Sequence, residues 1–246
     1  MTINKLILSL LALVMMAGTL SAKDYAGTHF GIKADGLTDN TRSIQYAIDF
    51  ISKEGGGKLT LFVGRYICST IYMRDNVTLV MGGGSALVSP ATAHDYDIIN
   101  GKSAVVIFDG VKNASFMGRG LIEGNNPTVS RAIKAQAEKG YREGVMPATI
   151  YVKDSENIKL QGVGLNNSCG TSVVVENSKN IDIEKVTVNN LKSDAAALEI
   201  NGCDNIKATD CYFDTKINPI VSAGTSKAIT FTNCLTPTGK TVSVKK

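Results

Sequence analysis

The chain has 246 residues, with 26 Lys and Arg against 22 Asp and Glu, a formal net charge of +4. That mild basic excess permits an acidic polymer as ligand, but no Lys/Arg run interleaved with aromatics occurs, so nucleic acid is not an expected partner. Trp is absent, five Cys form no CxxC or Cys/His cluster, and only His29 and His94 are present. A zinc site and a bound cofactor are therefore not expected, and a sugar site must rest on Tyr, charge and hydrogen bonds.

Residues 1–22 read as a signal peptide. Lys5 supplies the positive start, Leu6 to Gly18 is an apolar run too short to span a bilayer, and Ser21 and Ala22 offer small residues for cleavage. Secretion or export to a periplasm is expected, with no membrane span after processing. The remaining residues 23–246 suit one elongated β domain.

The first element after the signal is a helix at about 40–53. Thr38-Asp39-Asn40 lead in, Ile44, Ala47, Ile48 and Ile51 fall on one face, and Gly55-Gly56-Gly57 stop it. Strands are expected at Lys58–Val63 and near Ile71–Met81.

From there the chain repeats. Asn113, Asn157, Asn180 and Asn205 recur in register, with Ala228 in the last place, and the final three intervals are 23, 25 and 23 residues. One residue on come Ala114, Ile158, Ile181, Ile206 and Ile229; two further on come Phe116, Leu160, Ile183, Ala208 and Phe231. Before each Asn stand Val106/Phe108, Ile150/Val152, Val173/Val175, Leu198/Ile200 and Val221/Ala223. Each segment alternates with period two and changes phase at the Asn. Such units bury their apolar faces only by stacking, which predicts an all-β, single-stranded right-handed parallel β-helix capped by the N-terminal helix. Asn suits the turn because it accepts left-handed backbone and its amide can bond a stacked neighbour.

Residues 127–145 interrupt the repeat with helix-forming composition, predicting a helical insertion that either borders a cleft or decorates the surface, the latter favoured. Cys211 and Cys234 sit one coil apart in equivalent places, as core thiols or as a disulfide pair. Thr241 to Lys246 alternates as a strand with no cap, which suggests self-association through that end.

Several motifs resemble the N-terminal and central regions of the polygalacturonase-type glycoside hydrolases, family 28. They are Ala34-Asp35-Gly36-Leu37-Thr38-Asp39-Asn40-Thr41, Gly55 to Gly57, Gly64-Arg65-Tyr66, Gly118-Arg119-Gly120-Leu121-Ile122-Glu123-Gly124, Asn157 to Val163 and Asn166-Asn167-Ser168. The similarity runs from about Phe30 to Asp214. It implies a β-helix acting by inverting hydrolysis on pectic, galacturonan-type acidic plant polysaccharide. The family draws its carboxylates from an Asn-Thr-Asp and a Gly-Asp-Asp motif. One carboxyl protonates the leaving oxygen and another activates water, across a gap of roughly 6.5–9.5 Å.

Here Lys192-Ser193-Asp194 stands at the first motif and keeps Asp194; the strand register instead puts Ala196 at the catalytic position. Lys216-Ile217-Asn218 falls near the second motif without its aspartates, and Thr238-Gly239-Lys240 lacks the His of a later Gly-His-Gly. The resemblance thus implies Asp194 as catalytic residue, with Lys192, Lys216 and Asn218 as contacts to a uronate carboxylate. Glu199, facing outward on a strand, and Asp214, read in a turn, are substitutes for the missing carboxylate. Two alternatives stand beside hydrolysis: a non-catalytic pectin-binding or structural β-helix, and a polysaccharide lyase, which needs clustered carboxylates for Ca²⁺.

Overall fold

The computed structural model describes residues 23–92 and 96–242, so the signal segment and Ser243–Lys246 lie outside the described residues. The chain coils into three parallel sheets that share one core. The first sheet stacks Lys23–Ala26, Gly57–Leu61, Val77–Met81, Ser115–Gly118, Glu156–Gln161, Lys179–Glu184, Asp204–Thr209 and Lys227–Thr232. The second runs in the same order from Asp35–Asp39 to Tyr212–Thr215, and the third from Ile71–Tyr72 to Ile220–Ala223. Every neighbouring pair along these stacks is parallel; off them, Ile98–Ile99 pairs antiparallel against Lys102–Asp109. This is the right-handed parallel β-helix that the repeat predicts.

Inside, like stacks on like. Ile158, Ile181, Ile206 and Ile229 form one column, and Leu160, Ile183, Ala208 and Phe231 the next. All but the last member of each are buried; Ile229 and Phe231, in the last strand of this sheet among the described residues, are half-buried. Burying one such aliphatic side chain contributes about 1.5–3 kcal/mol, so each added coil stabilises the one beneath it.

The turn between the third and first sheets carries the asparagine ladder. Asn113, Asn157, Asn180 and Asn205 all hold φ near +55°, and Ala228 takes +51° in the same place. Asn157 Nδ2 donates to Asn113 Oδ1 at 2.9 Å, Asn180 to Asn157 at 3.0 Å, and Asn205 to Asn180 at 2.7 Å. The ladder extends one rung further than the repeat suggested, to Asn76 (φ +61°). Two residues before each ladder position a second stack runs: Val111 N–H donates to Ser155 Oγ, Ser155 N–H to Ser178 Oγ, and Cys203 N–H to Ser226 Oγ, at 3.0–3.1 Å. Glycine is forced at one neighbouring turn, where a Cβ on Gly118 (φ +126°) would lie 2.0 Å from the Met81 carbonyl oxygen.

Helix α1, Thr41–Lys53, caps the N-terminal end and buries Ile44, Ala47, Ile48 and Ile51. Its first turn is held by Asp39 Oδ1, which accepts from the Thr41 N–H at 2.9 Å. The Asn40 side chain makes no capping bond; its amide accepts from Lys33 N–H and donates to the Lys33 and Thr38 carbonyls.

Three expectations change. The single strand near Ile71–Met81 is two, Ile71–Tyr72 and Val77–Met81, in different sheets, because the chain turns at Asn76. In the last coil Ile220, not Val221, stacks on Leu198, which turns Val221 outward at 42% exposure. Asp214 lies in a strand, beside Asn189, rather than in a turn. Of the expected strand Thr241–Lys246 only Thr241 and Val242 are among the described residues: Leu235 bridges antiparallel to Thr241, Val242 N–H donates to the Cys234 carbonyl, and Val242 is buried. All five cysteines are buried free thiols. The Cys211 thiol is pushed up by its hydrogen bond with Cys234 and then by burial.

Candidate functional site

The third sheet differs from the others in having a covered outer face. Ala104, Ile107, Ala148, Tyr151 and Val174 form a second small core there, with Tyr72 and Ile99 packed on it. The hairpin of Ile98–Ile99 and Lys102–Asp109 brings Lys102 over this face. Lys102 Nζ lies 2.9 Å from Glu199 Oε1 and 3.9 Å from Glu176 Oε1. Glu199 Oε1 also accepts from Asn201 Nδ2 at 3.1 Å, and Glu176 Oε2 from the Tyr151 hydroxyl at 2.5 Å. Burial, then the Glu176 carboxylate, push the Tyr151 phenol up, so it stays a donor.

Beside this network opens a cleft of about 460 Å³, whose walls include Lys102, Thr171, Asp194, Ala196, Glu199 and Val221. A second hollow of about 420 Å³ adjoins it, lined by Ser130, Arg131, Lys134 and Lys192. Met146, Cys169, Ser193 and Asp194 line both, so Asp194 stands at their junction.

Helix α2, Thr128–Glu138, forms the outer wall of the second hollow. Val129 and Ile133 sink fully into the core, which leaves Arg131 and Lys134 on the cleft side. The insertion therefore borders the cleft instead of decorating the surface. Ser130 Oγ donates to Asn126 Oδ1 at 2.6 Å, and Asn126 N–H donates to the Asn167 carbonyl at 3.1 Å, which ties the start of the helix to the next coil.

The expected site residues divide. Asp194 and Lys216 pair at 3.6 Å, with the Asp194 side chain 82% exposed, and Lys192 joins Asp194 in the second hollow. Asn218 lines a different hollow, of about 480 Å³, at the C-terminal end with Phe213, Pro219 and the loop over 236–242. Asp214 lines neither part of the cleft. Ala196, at the strand-register position, is buried. Glu199 stands in the same cleft as Asp194; strand alternation shows that it faces outward, but not that Lys102, 97 residues earlier, sits upon it.

Two carboxylates, Asp194 and Glu199, thus share a cleft bordered by Lys102, Arg131, Lys134, Lys192 and Lys216. Such a site suits a polyanion, with a carboxyl pair available for proton transfer. Burial pushes the Cys169 thiol up to about 11, which leaves it a poor nucleophile. Among the described residues no group of three or more His, Cys, Asp or Glu side chains is gathered to hold a metal ion, and no helix is long and apolar enough to cross a membrane.

Residues 72–245 match the sequence pattern of the glycosyl hydrolases family 28. An exo-poly-alpha-D-galacturonosidase of Dickeya chrysanthemi is 28% identical over 167 residues, covering 59% of this chain; the chain spans about a quarter (26%) of that relative's length. A candidate glycosyl hydrolase of Parabacteroides merdae, known by crystallography, is 40% identical with a TM-score of 0.87, covering 91% of this chain and 100% of that one. The family 28 exopolygalacturonase of Yersinia enterocolitica shares the fold at a TM-score of 0.77 and 15% identity, over 88% of this chain and 49% of its own.

Proposed function

Because the chain belongs to glycosyl hydrolase family 28, we propose that it acts on an acidic, galacturonan-type polysaccharide by hydrolysing glycosidic bonds in the cleft between helix α2 and the third sheet. The observation that carries this reading is the meeting of Asp194 and Glu199 in one cleft flanked by cations. In it, Asp194 beside Lys216 and Glu199 beside Lys102 supply the two carboxyl groups that inverting hydrolysis needs, one to protonate the leaving oxygen and the other to take a proton from the attacking water. Lys192, Arg131 and Lys134 neutralise uronate carboxylates along the second hollow, and Lys216 orients Asp194. Lys5, the apolar run Leu6 to Gly18 and the small residues Ser21 and Ala22 support export, to the periplasm or beyond.

The test is mass spectrometry of products from de-esterified homogalacturonan, with Asp194→Ala and Glu199→Gln beside the parent. Saturated oligogalacturonides that disappear in both variants are expected. Unsaturated products would mean a lyase instead.

A second reading, a binding protein without hydrolysis, is favoured by one observation: Ala196 holds the strand-register position while Asp194 points into solvent. Polymer binding with no products from the parent protein would establish it. Self-association through the last coil rests on half-buried Ile229 and Phe231; a monomer throughout a sedimentation series would rule it out.

A further inference from the structure

Away from the cleft, on the outer face of the second sheet, lies a shallow trough of about 430 Å³ with a guanidinium at each of two positions, Arg65 and Arg119. Arg65 projects from the strand Gly64–Ile67, and Arg119 from the turn between Ser115–Gly118 and Leu121–Glu123. Arg65 stacks in register over Ala86, then Leu121, then Gly164. Three rung spacings make a floor about 14 Å long, flat and free of charge. Gly84, Gly120 and Gly162 line it too, with the uncharged Ser85 and Asn166. Those glycines have their own backbone reasons: Gly84 and Gly162 hold φ of +78° and +74°, and a Cβ on Gly120 would meet Ser85 Oγ at 2.3 Å. Their consequence is a floor with few side chains, and of its two polar ones Ser85 Oγ is engaged with the Gly82 carbonyl.

Neither guanidinium makes a hydrogen bond or ion pair with any described residue, and no Asp or Glu lines the trough. The acidic residue in register with Arg65, Asp35, spends both carboxylate oxygens on Leu37 and Thr38. Glu123, on the next outward column, is taken by the Asn125 N–H and Asn167 Nδ2. Two forked cations with all their donors free, above an uncharged floor, match carboxylates carried on an extended chain.

We propose that this trough is a second holding site for an acidic polysaccharide, on a different face of the β-helix from the cleft. The proposal rests on the galacturonan reading of the cleft and adds a site at which the polymer is held without being cut. A chain gripped on two faces is retained by avidity even when one contact releases.

The experiment is affinity electrophoresis through gels containing polygalacturonate, with neutral galactan as control. It compares the parent, Arg65→Gln/Arg119→Gln, and the cleft variant Lys134→Gln/Lys192→Gln, each checked for unchanged thermal melting. Loss of two charge-assisted contacts predicts retardation of the trough variant weakened about tenfold or more, and the two pairs combined should abolish it. Parent-like retardation of the trough variant, with retardation lost in the cleft variant, would overturn the second site and leave the cleft reading standing. No retardation of the parent would take down both. Equal retardation by neutral galactan would overturn the role given to charge.

Discussion

Asn157→Ala is the sharpest probe of what holds the coils in register. Asn157 donates to Asn113 Oδ1 at 2.9 Å, accepts from Asn180 Nδ2 at 3.0 Å, and holds φ at +56°. Two exposed side-chain hydrogen bonds are worth about 0.5–1 kcal/mol each, and a left-handed alanine costs about 1 kcal/mol. The alanine variant should lose about 2–3 kcal/mol. Asn157→Gly breaks the same bonds but relieves the backbone, and should lose about 1–2 kcal/mol. Urea unfolding of the three proteins separates the two causes, the difference between variants being the backbone contribution. An alanine variant no less stable than the glycine one would refute the left-handed turn as a source of specificity. Both variants within about 0.5 kcal/mol of the parent would refute the ladder itself.

The same reasoning runs in reverse at Ala228, which holds φ +51° at the end of the ladder: Ala228→Asn offers Asn205 a partner and should raise the urea midpoint. Asp35 is lowered to about 2 from an ordinary 3.8, first by the Thr38 N–H and then by the Thr38 hydroxyl. A depressed carboxyl stabilises above its unfolded value and loses that contribution as pH falls from about 4 through about 2, so Asp35→Asn should flatten the stability–pH curve in that window. Thiol titration of the denatured protein should count five free cysteines; three would mean that Cys211 and Cys234 have oxidised. Ile133→Ala removes a fully buried anchor of helix α2 and should cost about 2–4 kcal/mol, loosening the wall that carries Arg131 and Lys134 and weakening polygalacturonate retention.

What the sequence made legible was the local and the periodic. Helix α1 announced its buried face because Ile44, Ala47, Ile48 and Ile51 repeat at helical spacing, and all four are buried. The ladder was legible from Asn113 onward because its later intervals are regular. Asn76 escaped because the coil that follows it holds the extra segment around Ile98–Ile99. The serine stack could have been read from Ser155, Ser178 and Ser226, each two residues before a ladder position, with Cys203 in the remaining place.

The cleft was only partly legible. Asp194, Lys192 and Lys216 come together because they sit on the turns leading into adjacent strands of one sheet, and such neighbours can be counted along a repeat. Glu199 gains its meaning from Lys102, and Arg131 and Lys134 gain theirs from the docking of Val129 and Ile133 into the core. Those are contacts between distant segments, which periodicity does not encode. Asn218 lines the C-terminal hollow with Pro219 and the loop over 236–242, a placement that likewise depends on segments outside the periodic strands.

The most direct test of the cleft as the polymer's seat is a crystal structure with a galacturonate oligomer. A saccharide is expected between helix α2 and the third sheet, with its scissile oxygen between Asp194 and Glu199 and its carboxylates against Lys192, Arg131 or Lys134. An oligomer bound only elsewhere, with the cleft empty, would contradict it.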